Sequence, residues 1–198
     1  KTKVFVSGDI GCYTLGSLPP LAALHSTVCM GASVTIFESF SKILGKDKAV
    51  AVIGDSTFIH SGITGLINAA YNKTQGLLII LDNGTTAMTG AQPNPATGLT
   101  AKNEKTKKLD LESLCRACGA DHVEVIDSSC NSIENKIKEL TSQDKLSVLI
   151  VRYSLCKMID KTKKPVPLFD GNKCKKCYMC VSVDCPSITK DVNGNIKI

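Results

Sequence analysis

Five apolar, β-branched stretches recur along the chain at strand length: residues 3–7 (KVFVS), 49–54 (AVAVIG), 77–82 (LLIILD), 122–126 (HVEVI) and 147–152 (SVLIVR). Within them apolar residues run almost continuously instead of alternating with polar ones. That is the pattern of strands covered on both faces, as in a parallel sheet. The stretches between them follow the helical period. In 33–44 (SVTIFESFSKIL) and 62–72 (GITGLINAAYN), apolar residues recur three and four positions apart. Segment 109–119 (LDLESLCRACG) has Asp110 near its start and Gly119 at its end, a plausible start and stop pair. Segment 131–142 is amphipathic, with Ile133, Ile137 and Leu140 on one side. Alternation of this kind predicts an α/β fold, a doubly wound, mainly parallel sheet.

Two long irregular stretches interrupt the alternation, 8–32 and 83–108. Each follows the carboxyl end of a predicted strand, which is where open α/β sheets place their ligands. Loops this long in a compact domain are usually functional. After Arg152 the character changes. Residues 156–172 are rich in lysine and proline and read as a linker, so the chain divides into a domain at 1–155, the linker, and a cysteine-rich appendage at 173–198.

Composition narrows the class. The chain has 198 residues, 43% of them hydrophobic, enough for one domain with a real core. No apolar run approaches the roughly 20 residues that span a bilayer, and no secretory signal is visible. The chain opens on Lys1 and is strand-like almost at once, which leads us to expect a piece of a longer protein. Net charge is +6, and nine lysines against four aspartates fall in the last 45 residues. A basic patch there suits an acidic partner or nucleic acid, but a solvated linker explains it as well. Aromatics do not interleave with the lysines, so stacking on bases is not expected and no nucleic-acid partner is assigned. Ten cysteines in a chain with an ample core point to metal ligation in a reducing cytoplasm rather than to a secreted disulfide scaffold.

Two strand ends carry the first candidate chemistry. Asp55 follows the second predicted strand and Asn83 follows the third. A crossover helix between adjacent parallel strands would bring both to one edge of the sheet. A carboxylate and an amide oxygen are hard donors, suited to Mg²⁺ or Ca²⁺, and Mg²⁺ keeps room for phosphate oxygens. Gly54 lets backbone approach a ligand, and the next helix N-terminus faces anions. An Asp after a strand is equally a common helix cap. The second candidate is the cysteine run Cys174, Cys177, Cys180 and Cys185, spaced C-x2-C-x2-C-x4-C and followed by Pro186. That spacing suggests an iron–sulfur cluster of the [4Fe–4S] kind, with a zinc site as the alternative.

Residues 54–98 (GDSTFIHSG…LDNGTTAMTGAQPNPATG) resemble the cofactor-binding segment of thiamin diphosphate enzymes. The family pattern is Gly-Asp-Gly and, just under thirty residues on, Asn-Asn. Here it reads Gly54-Asp55-Ser56 and Asp82-Asn83, departing at Ser56 and Asp82. The resemblance implies that Asp55, Asn83 and the Thr85 carbonyl hold Mg²⁺ against the diphosphate. The tail, with Met88, Thr89, Gly90 and Gln92, is similar to the loop over the diphosphate in 2-oxoacid:ferredoxin oxidoreductases. "GDIGCYTLG" (8–16) with "STVCMGAS" (26–33) resembles the α subunits of the indolepyruvate branch in particular. By that likeness Asp9, Ile10, Gly11 and Cys12, and Cys29, Met30 and Gly31, line the thiamin pocket. From the residues alone, 8–16 is a flexible turn with a buried thiol. No role attaches to His25, and His60 faces either the diphosphate or solvent.

The likeness implies oxidative decarboxylation of an aryl 2-oxoacid such as indolepyruvate to an acyl-CoA. Electrons would leave through iron–sulfur clusters to ferredoxin. It implies thiamin diphosphate, Mg²⁺ and a [4Fe–4S] cluster as cofactors. Implied partners are coenzyme A, a β subunit and the remaining domains of the chain's own subunit. Thiamin enzymes draw an activating glutamate from a separate domain, so the chain by itself is expected not to turn over.

Overall fold

The computed structural model describes residues 4–45, 49–153, 169–183 and 188–197. Strands β1 (Phe5–Gly8), β2 (Ala49–Gly54), β3 (Gly76–Asp82), β4 (His122–Asp127) and β5 (Leu146–Arg152) form one sheet in the order β1-β2-β3-β5-β4. All four pairings are parallel. Side chains of β3 and β5 are buried on both faces, which is why these strands read as unbroken apolar runs. A two-stranded antiparallel ribbon, β6 (Thr189–Lys190) and β7 (Ile196–Lys197), lies in the cysteine-rich part. The expected fold class is therefore borne out.

Helices flank the sheet on both sides. On one face Val34 and Phe37 of α1 (Ala32–Leu44) pack with Ala51, Ile53, Leu78, Ile80, Val148 and Ile150. Leu66 and Ala69 of α3 (Ile63–Tyr71) and Leu111 and Cys115 of α4 (Leu111–Ala117) join the same core. On the other face Leu140 of α5 (Ile133–Ser142) seals Leu77, Ile79 and Leu149. Each fully buried Phe or Leu contributes about 1.5–3 kcal/mol by leaving water. A buried carboxylate ties two of these helices. Glu38 of α1 accepts from Asn68 Nδ2 of α3 at 2.6 Å and pairs with Lys42 at 2.8 Å.

Boundaries moved by one or two residues, with one larger difference. The helix expected at 62–72 is the last part of a longer run. It opens with a short turn α2 (Asp55–Thr57), widens into a π turn (Phe58–Gly62) and continues as α3. The run starts directly at the carboxyl end of β2, so Asp55 sits in its first turn. Lys3 of the first predicted strand, and the linker as far as residue 168, lie outside the described residues.

The stretch 8–32 is ordered by a few specific bonds. Cys12–Ser17 forms a 3-10 helix, and Pro19–Pro20 is a cis bond. The Val6 N–H donates to His25 Nδ1 at 3.0 Å, and the imidazole stacks on Phe5. Ser26 bridges Ser7 in parallel, so residues 25–26 cover the free edge of β1. His25 therefore has a structural part that its surroundings in the sequence do not announce.

Gly31 begins α1 with φ +87°, and a Cβ there would lie 2.6 Å from the Ser61 carbonyl oxygen of the π turn. Both the left-handed backbone and the backbone contact resist a side chain. Gly31→Ala is expected to lower unfolding stability by about 2 kcal/mol or more, measured by urea denaturation; an unchanged midpoint contradicts this packing.

Candidate functional site

A cavity of about 540 Å³ opens at the carboxyl ends of β1, β2 and β3. Pairing of β2 with β3 sets Gly54 opposite Leu81, so the residues that follow, Asp55 and Asn83, reach the same edge. Both line the cavity, as do Gly54, Ser56 and Thr85. From the first irregular stretch come Ile10, Gly11, Cys12 and Met30, and from the second Met88 and Thr89. The two predicted loops thus meet over one opening.

Asp55 is the electrostatic centre. It is 2% exposed, and its side-chain donor is Asn94 Nδ2 at 3.3 Å. Among the described residues no Lys or Arg pairs with it. Burial pushes its carboxyl up to about 6, bonds from Ser56 and Asn94 pull against that, and the charge of nearby Asp82 pushes in the same direction as burial. Asn83 Oδ1 accepts the Thr85 N–H at 3.1 Å, closing a tight turn. The set Asp55, Asn83 and the Thr85 carbonyl offers hard oxygen donors, one of them a buried carboxylate with no Lys or Arg partner among the described residues. Those residues fit a divalent cation such as Mg²⁺.

The loop after β3 braces itself. Thr85 Oγ1 and the Thr86 N–H both donate to the Gln92 carbonyl, at 3.1 and 3.0 Å. Thr89 Oγ1 lies 2.6 Å from Gln92 Oε1. Ser56 Oγ meets Thr86 Oγ1 at 2.7 Å, so the residue that departs from the Gly-Asp-Gly pattern joins the two halves of the site. Gln92 works as a brace and Gly90 as the left-handed end of the turn, with φ +116°. Neither is among the residues that line the cavity.

Three other expected residues also stand back from the lining. Asp9 is fully buried. Its Oδ1 accepts from the Ile10 and Gly31 N–H groups at 2.8 and 2.9 Å, and its Oδ2 from the Ser33 N–H at 2.9 Å. It caps α1 and holds the 29–31 turn beside the cavity. Gly31 is the turn itself, and Cys29 is exposed outside the lining. His60 is exposed and bonds Ser61 Oγ at 3.1 Å.

Sequence reasoning missed Tyr13, Thr57, Leu81, Thr86, Ala87 and Tyr153 in the lining. A Cβ on Gly54 would sit 3.1 Å from the Tyr13 ring and one on Gly11 2.3 Å, so these glycines make room for the aromatic wall. The Tyr13 hydroxyl and Thr57 Oγ1 both donate to the Ile10 carbonyl, at 3.2 and 2.9 Å. Burial pushes the Tyr13 phenol well above its ordinary range. Thr57 stands two residues after Asp55 and Tyr13 one after Cys12, a proximity that was a usable signal. Asn94, 39 residues from the carboxylate it supports, gave none.

The cysteine run looks different. Cys174, Cys177 and Cys180 are free thiols on a turn-rich segment, and Cys185 lies outside the described residues. Among the described residues no group of three or more His, Cys, Asp or Glu is gathered to hold a metal. Nor, among them, is any helix long and apolar enough to cross a membrane.

The family model "Thiamine pyrophosphate enzyme, C-terminal TPP binding domain" matches residues 9–151. The chain belongs to the thiamine pyrophosphate enzymes. The matched range contains the whole cavity edge except Tyr153. Indolepyruvate oxidoreductase subunit IorA of Archaeoglobus fulgidus is 39% identical over 189 residues, covering 92% of this chain and 30% of that protein. Its namesake from Thermococcus kodakarensis is 39% identical over 210 residues, covering 96% and 32%. The resemblance drawn from the motifs is thus borne out, and the chain spans about a third of the length of the curated relatives it matches. Among solved structures, a 2-oxoglutarate:ferredoxin oxidoreductase from Magnetococcus marinus, with 2-oxoglutarate, coenzyme A and succinyl-CoA bound, superimposes with TM-score 0.64 at 14% identity. That match covers 86% of this chain and 64% of the other, and it speaks for the fold alone.

In this thiamine pyrophosphate-binding domain the ligand-free Asp55 has a stability signature. Its folded value, about 6, lies above the ordinary 3.8, so the folded state holds the proton more tightly than the unfolded one. Stability is then full below about 4 and lost as pH rises toward 6 and beyond. Asp55→Asn removes that loss. Relative to the variant, the parent is expected to fall by on the order of 2–3 kcal/mol between pH 4 and pH 8. Urea denaturation across that range tests it; parallel pH profiles would contradict a buried, unpaired carboxylate.

Proposed function

We propose that this chain is the diphosphate-binding domain of a thiamin-dependent 2-oxoacid oxidoreductase. The larger protein would convert an aryl 2-oxoacid, indolepyruvate by preference, to its acyl-CoA and pass electrons through iron–sulfur clusters to ferredoxin. The observation that carries the reading is the buried Asp55, without a Lys or Arg partner among the described residues, sharing a cavity edge with Asn83 and Thr85. The IorA relatives support the substrate class by their name.

Each residue has a part. Asp55, Asn83 and the Thr85 carbonyl would hold Mg²⁺, neutralising the carboxylate and presenting the cation to a diphosphate. Gly54 keeps backbone close, and the N–H groups of the first helical turn face the anion. Ser56 and Thr86 hold the loop of 84–92 against the Asp55 turn. Ile10, Cys12, Met30 and Met88 give the mouth an apolar, polarisable lining suited to a ring. Bound thiamin diphosphate supplies the carbanion chemistry, while the protein contributes position and electrostatics. The activating glutamate, the β subunit and the coenzyme A site would come from outside these 198 residues. Cys174, Cys177, Cys180 and Cys185 would ligate a [4Fe–4S] cluster, a reading supported by their spacing. The thiol-rich composition suits the cytoplasm.

Titration calorimetry with thiamin diphosphate and Mg²⁺ tests the site. Binding is expected to require Mg²⁺, to weaken at least tenfold in Asp55→Ala, and to weaken about tenfold per pH unit below about 6 as protons compete for the carboxylate. Mg²⁺-independent binding, or parent-like affinity in the variant, would overturn it.

Anaerobic reconstitution with iron and sulfide tests the second site. Iron uptake with a visible charge-transfer band is expected, reduced in Cys174→Ser; uptake of zinc in place of iron would favour the structural alternative.

A further inference from the structure

Asp82 stands where the thiamin pattern has an amide, and it introduces a carboxylate next to a cation ligand. Its charge already bears on Asp55. At 8% exposure such a group needs hydrogen-bond or ionic partners to offset its burial. The structure shows what does. Arg152 Nε donates to Asp82 Oδ2 at 2.9 Å, from the register partner on the adjacent strand. The other oxygen, Oδ1, accepts the Gly84 N–H at 3.1 Å, and the Asp82 carbonyl accepts the Tyr153 N–H at 2.9 Å.

Strand alternation separates this pair from the site it serves. Leu81 and Asn83 line the large cavity. Asp82 and Arg152 instead line a smaller one of about 250 Å³, together with Lys108 and Asp110. Arg152 does not line the large cavity and acts there only through Asp82. One carboxylate thus joins two elements. Arg152 holds it at the last rung of β3 and β5, and it holds the turn that begins at Asn83. Tyr153, next to Arg152, forms part of the cavity wall.

We infer that Arg152 is a positioning residue. It locks Asp82 away from the cation, and through the Gly84 N–H it fixes the Asn83–Thr85 turn that presents two of the three oxygen ligands. An exposed ion pair would be worth little. Here the carboxylate side chain is only 11% exposed while the Arg152 side chain is 46% exposed, so removing the arginine strands a charge in a poorly hydrated place. The inference rests on the cation site proposed above.

Three variants of the chain test it: Arg152→Gln, the double variant Asp82→Asn with Arg152→Gln, and Asp55→Ala. Asn at 82 keeps an oxygen for the Gly84 N–H and removes the charge that needs an arginine. In ligand-free protein the Gly84 amide is expected to exchange at least tenfold faster in Arg152→Gln, and within about threefold of the parent in the double variant. Calorimetry with thiamin diphosphate and Mg²⁺ is expected to follow the same order, at least tenfold weaker and then restored to within about threefold. Thermal melts confirm that each variant folds. Parent-like exchange and affinity in Arg152→Gln, or a double variant no better than the single one, would overturn the inference. The two readings fail separately. If Asp55→Ala binds like the parent, or the parent does not bind, the cation site falls and the exchange experiment alone judges Arg152. If Asp55→Ala loses binding while Arg152→Gln keeps it, only the role of Arg152 falls.

Discussion

A carboxylate buried at the open edge of a parallel sheet, with no cationic side chain among the described residues to meet it, is the constraint around which this domain is organised. Asp55 is 2% exposed and keeps its proton to a pH of about 6. Among the described residues no lysine or arginine offsets that burial. The groups that bond it or share its cavity edge are neutral: Asn94 from one loop, the Ser56 N–H in the same turn, and Asn83 and Thr85 across the cavity. A site held in that condition fits the divalent cation proposed for it.

The rest of the architecture follows from holding that edge steady. The sheet sets the spacing between Asp55 and Asn83 through its β2–β3 register. Asp9 secures the α1 N-terminus and the 29–31 turn that flanks the opening. Gln92 folds the long polar loop onto itself, and Ser56 fastens it to the Asp55 turn. The Asp82–Arg152 pair then anchors the turn carrying Asn83 from the opposite side of the strand. Flexible-looking sequence is in this way pinned at a few points by buried polar groups.

The sheet was legible because β2 and β3 are buried on both faces and so carry unbroken apolar runs; AVAVIG at 49–54 is read to the residue. Asp55 and Asn83 were legible because each directly follows such a run. What escaped was non-local. The family resemblance puts Asp9 among the pocket residues, but nothing local says that its carboxylate will hold the Gly31 and Ser33 N–H groups at the start of α1. The π turn at 58–62 escaped because its apolar spacing matches that of an ordinary helix. Arg152 read only as the last residue of a strand, since its partner lies 70 residues away and meets it through a pairing that sequence alone does not reveal.

In the proposed site Asp55, Asn83 and Thr85 share one cation. Crystals grown with Mn²⁺ in place of Mg²⁺ and with thiamin diphosphate would locate it by anomalous scattering. A single strong peak is expected about 2–2.3 Å from an Asp55 carboxylate oxygen, the Asn83 amide oxygen and the Thr85 carbonyl, with Asp82 still on Arg152. A peak on Asp82 or Asp110 instead, or diphosphate bound with no metal at Asp55, would contradict it.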